Sequence, residues 1–289
     1  MDFQLTQDQR DLKAGVRNLL EGRFGREALR AAVDTTEAPA LDRELWRELA
    51  DAGFFALRLP EAEGGVGLGL PEAVLAFEEA GRVLLPGPLV ATHLAAGAVE
   101  GAATGDTVVT AVEGTLVPWL EAADVVRGDA GAATAIRSLD PLTPLHRVPE
   151  QQERPSPEAA LLTAAEQLGS ASRTQELAVQ YAKERAQFGQ PIGGFQAVKH
   201  LCAQMLVRAE VARAAVYAAA VTGDALEASA AKLLADEAAV RNARDCLQVH
   251  GGMGFTWEAD VHLHLKRAWV RAELGRTARD AEEELAAAL

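Results

Sequence analysis

Apolar residues recur at a three-and-four spacing through most of this chain, a period that predicts helices rather than strands. Thr6 and Gln9 have the spacing of a capping box, and Leu12, Val16, Leu19 and Leu20 follow as one apolar face, predicting a first helix to about Gly22. Leu45, Trp46 and Leu49 mark a second over 41–52. Pro71 suits the first turn of a third, which carries Val74, Leu75 and Phe77, and another apolar helical stretch covers 88–99. Between Gly101 and Pro157 the texture changes. Short β-branched runs at 107–112, 125–126 and 134–136, separated by Gly, Asp and Pro, predict a small β-rich insert. From Glu158 the helical period returns in four long segments, 158–186, 194–221, 225–250 and 258–287, whose short Gly-containing breaks favour antiparallel neighbours. The expected organisation is mainly α: an N-terminal helical domain over 1–100, a β-rich middle domain over 101–157 and a C-terminal four-helix bundle over 158–289.

The break between the first two bundle helices concentrates polar chemistry. Leu177, Ala178, Tyr181 and Ala182 lead into it and Phe195, Val198, Leu201 and Met205 lead out, with Gly189 and Pro191 supplying the turn. A hairpin of the two helices brings Arg185, Gln187 and Gln196 to one end, where a guanidinium and two amides could hold an anion. By position alone Arg185 also reads as a surface ion-pair residue. The other glycine-rich stretch, 63–73, fails as a phosphate loop: no lysine follows, the spacing is not GxGxxG and no strand clearly precedes it, so it reads as a flexible surface turn.

Composition narrows the function classes. The chain has 289 residues, 49% hydrophobic, 24% charged and 5% aromatic, enough to bury a sizeable core and rich in the Ala and Leu that favour helix. A net charge of −14 argues against general affinity for nucleic acid or an anionic membrane, so an anionic ligand needs a local basic pocket. Cys202 and Cys246 fall in predicted helices without CxxC spacing and read as buried free thiols. His262 and His264, two apart on a helix, point about 200° apart and do not converge on a metal; with His250 they read as packing or surface residues. No secretory start or spanning apolar run is legible, which points to the cytoplasm.

The string YAKERAQFGQPIGGFQAVKHLCAQM, ending at Met205, resembles a signature of the acyl-CoA dehydrogenase family, and LQVHGGMGFTWEADVHLHLKRA, 247–268, resembles the same family's next signature. Residues 44–84 resemble its N-terminal helical domain, and 117–148 the later part of its middle β-domain. The resemblance implies FAD as cofactor, with Arg185, Gln187, Phe188 and Gln196 approaching it, and with Gln248, Gly251 and Gly252 contacting the FAD of a neighbouring subunit. Gly251 and Gly252 read equally as a glycine helix stop. Two expected features are missing. No segment matches the family's TEPxxGSD type, which contacts the flavin ring, so the middle domain is shortened. The family's glutamate base also lacks a clear counterpart: its common YEGT-like site corresponds to a region with Leu274 before Gly275 and Glu273 one place away, and its alternative site falls near Ala159 with Glu158 adjacent. Both glutamates read more plainly as surface carboxylates.

The resemblance therefore implies a β-type subunit of a heteromeric acyl-CoA dehydrogenase. It would share an FAD site with a homologous chain, as an α2β2 assembly or a homo-oligomer, and act on an acyl-CoA, with an electron-transfer flavoprotein as acceptor and lipid or sterol side-chain catabolism as context. The alternatives are a self-sufficient homo-oligomeric dehydrogenase and a flavin-free helical scaffold of the same fold.

Overall fold

The computed structural model describes residues 4–35, 39–149 and 156–288; the end of the expected β-rich insert, 150–155, lies outside them. Ten α-helices and seven short strands appear among those residues. The N-terminal part holds α1 (Gln7–Arg23), α2 (Arg26–Val33), α3 (Arg43–Asp51), α4 (Leu70–Arg82) and α5 (Leu89–Ala95). The expected capping box starts α1, with Thr6 Oγ1 accepting from Gln9 N and Gln9 Oε1 accepting from Thr6 N. Asp42 caps α3 by accepting from Glu44 N and Leu45 N. Helix α2 was not foreseen, because eight residues carry too few apolar positions to show a period. The glycine-rich stretch is a surface turn folded back on the preceding segment. Gly65 N, Val66 N, Gly67 N and Leu68 N donate to carbonyls between Ala56 and Pro60, and a Cβ on Gly65 would fall 2.2 Å from Leu59 O.

The β-rich part holds β1 (Val109–Ala111), β2 (Leu116–Pro118), β3 (Val125–Arg127), β4 (Thr134–Ile136) and β5 (Leu145–Arg147). Strands β1 and β3 pair in parallel, while β5 lies between β2 and β4 in an antiparallel sheet. Three of the five strands coincide with the predicted β-branched runs. The other two, LVP and LHR, are too short and mixed to announce themselves.

The bundle follows: α6 (Pro157–Glu184), the hairpin β6 (Ala186–Gln187) and β7 (Gln190–Pro191), α7 (Gln196–Thr222), α8 (Ala225–His250), a 3₁₀ turn over Gly251–Phe255, α9 (Val261–Ala272) and α10 (Ala278–Ala287). The fourth predicted bundle helix is thus divided. Gly275 takes φ +63°, a conformation that ends α9, and Thr277 then caps α10.

Helix α4 is buried over 73–82 and crosses α6 at backbone contact. A Cβ built on Gly81 would lie 1.9 Å from Glu166 O, and one on Gly169 would lie 1.9 Å from Glu78 O. Charged residues on α4 tie the surrounding helices. Glu78 accepts from Lys13 Nζ at 2.5 Å and Tyr217 Oη at 2.7 Å, Glu79 accepts a bidentate pair from Arg17 at 2.7 and 2.8 Å, and Arg82 donates a bidentate pair to Glu176 at 2.9 and 2.7 Å.

Replacing Gly81 or Gly169 by alanine forces the helices apart and is expected to cost ~1–3 kcal/mol or more, as overpacking does. Gly15→Ala on α1, where a Cβ meets nothing within 4 Å, should instead stabilise by ~0.5–1 kcal/mol; urea unfolding of the three variants makes the comparison. Two buried histidines set a pH dependence. Burial, then Arg173, Arg267, Arg271 and Arg82, pull His264 down to about 3, and burial followed by Arg58 pulls His93 down to about 4. Below pH ~6.5 the unfolded chain takes up protons that the folded chain refuses, so their contribution is intact above that pH. It is lost as pH falls toward 4, by up to ~1.4 kcal/mol per pH unit for each histidine. The urea midpoint should drop between pH 7 and pH 5, and His264→Gln, able to keep a bond to Ser170, should reduce that drop; an equal drop in the variant would refute the assignment.

Candidate functional site: an exposed polar turn and a basic cleft

The two signature strings meet at one end of the bundle. The α6–α7 hairpin and the tight α7–α8 turn at Gly223, in αL, make α6 and α8 run in the same direction, so their C-termini lie together. Tyr181 on α6 stacks on His250 at the end of α8 with ring centroids 4.1 Å apart. An apolar cluster of Ala178, Ala182, Met205, Cys246, Leu247, Val261 and Leu265 fixes α6, α7, α8 and α9 against each other beneath that end.

The sequence-predicted residues sit on this platform. Arg185 is the C-cap of α6: its N–H donates to Tyr181 O, and its carbonyl accepts from Ile192 N across the hairpin. Phe188 at φ +53° and Gly189 at φ +80° are the central pair of a two-residue turn between β6 and β7, the conformation favoured by tight hairpins. Holding phenylalanine in αL costs backbone strain, and the residue is 91% exposed, its ring meeting only the edge of Phe195 among the described aromatic residues. Gln187 donates to Ala186 O at 2.8 Å, Gln196 is the first residue of α7, and Gln248 lies in the last turn of α8, two residues before its end. Arg185, Gln187, Gln196 and Gln248 are all exposed. Gly251 turns the chain at φ +60°, and a Cβ on Gly251 or Gly252 would meet nothing within 4 Å, so open space borders the backbone there. A guanidinium, three amides and a side-chain-free backbone suit a pyrophosphate and its nucleoside, and the donor set fits FAD. On this chain alone the set lies on an outward face.

Glu158 and Glu273 are elsewhere. Glu158 accepts a bidentate pair from Arg58 at 2.8 and 3.0 Å, which holds its carboxyl below the usual range. Glu273 caps α9 and is exposed. Cys246 is buried, its thiol pushed up to about 12 by desolvation, and Cys202 is half-buried; both are free. His264 bonds Ser170 Oγ at 2.8 Å and His262 stacks on Trp257.

At the opposite end of α6 lies a cleft of about 100 Å³, open to solvent, walled by α5, the β1–β2 turn, the start of α6 and the end of α9. Arg267, Arg271, Glu166 and Glu113 line it. Burial raises Glu166, with Arg271 opposing, and burial raises Glu113, with Arg127 opposing. Sequence reading missed this group. Its signal was the i, i+4 spacing of Arg267 and Arg271 on a helix face that also carries the buried Leu263, His264 and Ala268. Thr163 in the cleft and Arg185 at the turn are 22 positions apart on α6, roughly 30 Å at ~1.5 Å per residue.

Comparison with known proteins accords with this geometry. The acyl-CoA dehydrogenase N-terminal domain matches residues 6–106 and the acyl-CoA dehydrogenase C-terminal domain matches 157–279. The chain is 35% identical to the acyl-CoA dehydrogenase IpdE2 of Mycobacterium tuberculosis, with 95% of each chain covered. A chain of the ChsE4-ChsE5 complex from the same organism superposes with a TM-score of 0.84 at 26% identity, covering 99% of this chain and 98% of that one. A chain of the Tcur3481-Tcur3483 steroid ACAD does so with a TM-score of 0.83, again at 26% identity and with 97% of each covered.

Proposed function

Because this chain belongs to the acyl-CoA dehydrogenase family, we propose that it is one subunit of an FAD-dependent acyl-CoA dehydrogenase, completing an FAD site shared with a homologous partner chain. FAD, when bound, accepts the β-hydride as the α-proton leaves the acyl-CoA thioester. The observation that carries the reading is the separation along α6. The polar turn points outward roughly 30 Å from the chain's own cleft, so turn and cleft serve different pockets.

In this reading Arg185 forks two hydrogen bonds onto the pyrophosphate, for which a planar guanidinium is better suited than an ammonium. Gln187, Gln196 and Gln248 offer amides to the nucleotide, Gly251 and Gly252 let it lie against the backbone, and Phe188 covers it or anchors the partner. The partner supplies the flavin-ring segment and the base, for which no counterpart is evident in this sequence. Val207 and Val211, exposed along α7, continue the outward face away from the turn and give the partner an apolar surface. The division into 1–100, 101–157 and 158–289 belongs to the same reading, with the middle domain shortened because the ring is held elsewhere.

The two-component composition of the ChsE4-ChsE5 complex supports a homologous partner, and the α2β2 arrangement is part of the same proposal. Similarity to a steroid ACAD supports a sterol or lipid acyl-CoA as substrate; an electron-transfer flavoprotein as acceptor is part of the same proposal. No helix among the described residues is long and apolar enough to cross a membrane, in keeping with a cytoplasmic enzyme. A self-sufficient homo-oligomer using Glu158 or Glu273 has less support, since Glu158 is held ionised by Arg58 and neither glutamate lines the cleft.

Co-purification with a homologous acyl-CoA dehydrogenase chain that pairs with it should yield flavin absorbance and acyl-CoA oxidation that the single chain lacks. Arg185→Ala in that complex should lower FAD retention by about tenfold or more, equivalent to ~1.4 kcal/mol, with helical content unchanged. Full activity and flavin in the single chain, or unaltered retention in the variant, would overturn the reading.

A further inference from the structure

Tyr181 and His250 join the two halves of the polar turn. On α6 the Tyr181 carbonyl accepts from the Arg185 N–H, so the backbone that carries the tyrosine ring also carries the C-cap from which the guanidinium projects. On α8 His250 is the last helical residue before Gly251. Its Nδ1 lies 2.8 Å from Cys246 O, and because a carbonyl only accepts, that nitrogen carries the proton and the ring is pinned to its own helix one turn back. The two rings then stack with centroids 4.1 Å apart and planes 19° from parallel. The 3₁₀ turn that follows is built directly on the histidine. A Cβ on Gly254 would fall 3.0 Å from His250 Cβ and 2.9 Å from Leu247 O. Its outer side has no such support, since a Cβ on Gly251 or Gly252 meets nothing within 4 Å and Met253 and Phe255 are exposed. The apolar cluster anchors α8 as far as Val249, and Trp257, donating to Asp34 and accepting from Arg30, anchors the chain beyond the turn. Between those anchors the turn rests on His250.

We propose that Tyr181 and His250 are a positioning pair: their stack sets where Gln248 and the Gly251–Gly252 backbone lie relative to Arg185, and so shapes the outward surface before cofactor or partner arrives. The proposal rests on the shared FAD site and deepens it. Neither ring has to touch the ligand. The gain is preorganisation, because donors already held in register lose less freedom when an anion and its nucleoside are bound. Loss of the stack leaves Arg185 and Gln248 in place chemically but frees one half of the surface to move against the other.

Two measurements test this, one of which needs neither FAD nor a partner. In the single chain, Tyr181→Leu should speed amide hydrogen exchange over 251–256 about two- to tenfold, the loss expected of one stacked pair, with exchange in the buried α4 unchanged. Tyr181→Phe keeps the stack and should exchange as the parent does. Unchanged exchange in Tyr181→Leu overturns the positioning role, as does a lowered urea midpoint with no local change, the result of a stack that only stabilises the fold. In the FAD-loaded complex with the homologous chain, Tyr181→Leu and His250→Leu should each weaken FAD about two- to tenfold, with Tyr181→Phe near the parent. The double leucine variant should be no weaker than the worse single one, and additive losses overturn the coupling. Arg185→Ala in the same complex separates the two failures. If it releases FAD while Tyr181→Leu does not, the positioning role fails alone; if neither changes FAD affinity, the shared site fails and the positioning role with it.

Discussion

The crossing of α4 and α6 at Gly81 and Gly169 is the constraint on which the rest of the molecule depends. Two helices whose backbones touch cannot slide or rotate without collision, because the missing side chains on one are filled by carbonyl oxygens of the other. That contact joins the N-terminal helices to the bundle. The ion pairs of Glu78, Glu79 and Arg82 then tie α1, α6 and α7 around α4. Buried pairs of this kind contribute less to net stability than to fixing one arrangement, since a shifted helix would leave a carboxylate without its partner. Here they hold α6 as a rigid strut.

Because α6 is rigid, the two chemistry-bearing regions are held at its two ends. The first turns of α6 join α5, the β1–β2 turn and α9 around buried arginines, whereas its C-cap displays Arg185 on a hairpin that faces outward. The contrast in burial follows from composition. At the cleft, arginines are enclosed and neutralised by Asp140 and Glu166. At the turn, polar groups are left in water and Phe188, its backbone held in a strained αL conformation, meets Phe195 edge-on while staying largely exposed. A surface that keeps strain and an exposed ring is organised for something that arrives from outside.

Most of the architecture was legible in the pattern of the chain, and the failures have local causes. Helices α1, α6, α7 and α8 appear near their expected limits because each repeats its apolar face over several turns and begins at a good cap, Thr6, Ser156 or Asp224 where one is present. The fourth bundle helix was read as continuous, since Gly275 alone in a helical pattern does not reveal the positive φ that divides it. Helix α2 and strands β2 and β5 are too short to carry a period. Of the chemistry, the residues around Arg185 and Gln248 stood out by their motif. The arginines of α9 did not, because i, i+4 charges usually denote a solvated face and only burial shows otherwise.

The sequence by itself determined the helical character of the chain, its division by a β-rich stretch, its family and the polar composition of the α6–α7 turn, because these depend on local periodicity, capping and motif spacing. Tertiary structure alone decided that Tyr181 meets His250, so that both signatures share one end of the bundle, that Arg185 faces outward while Arg267 and Arg271 face a cleft, and that roughly 30 Å separates them. Direction and burial are properties of packing. A residue's neighbours across the helix crossing are dozens of positions away in the chain, and no local pattern specifies which of its faces the crossing will cover.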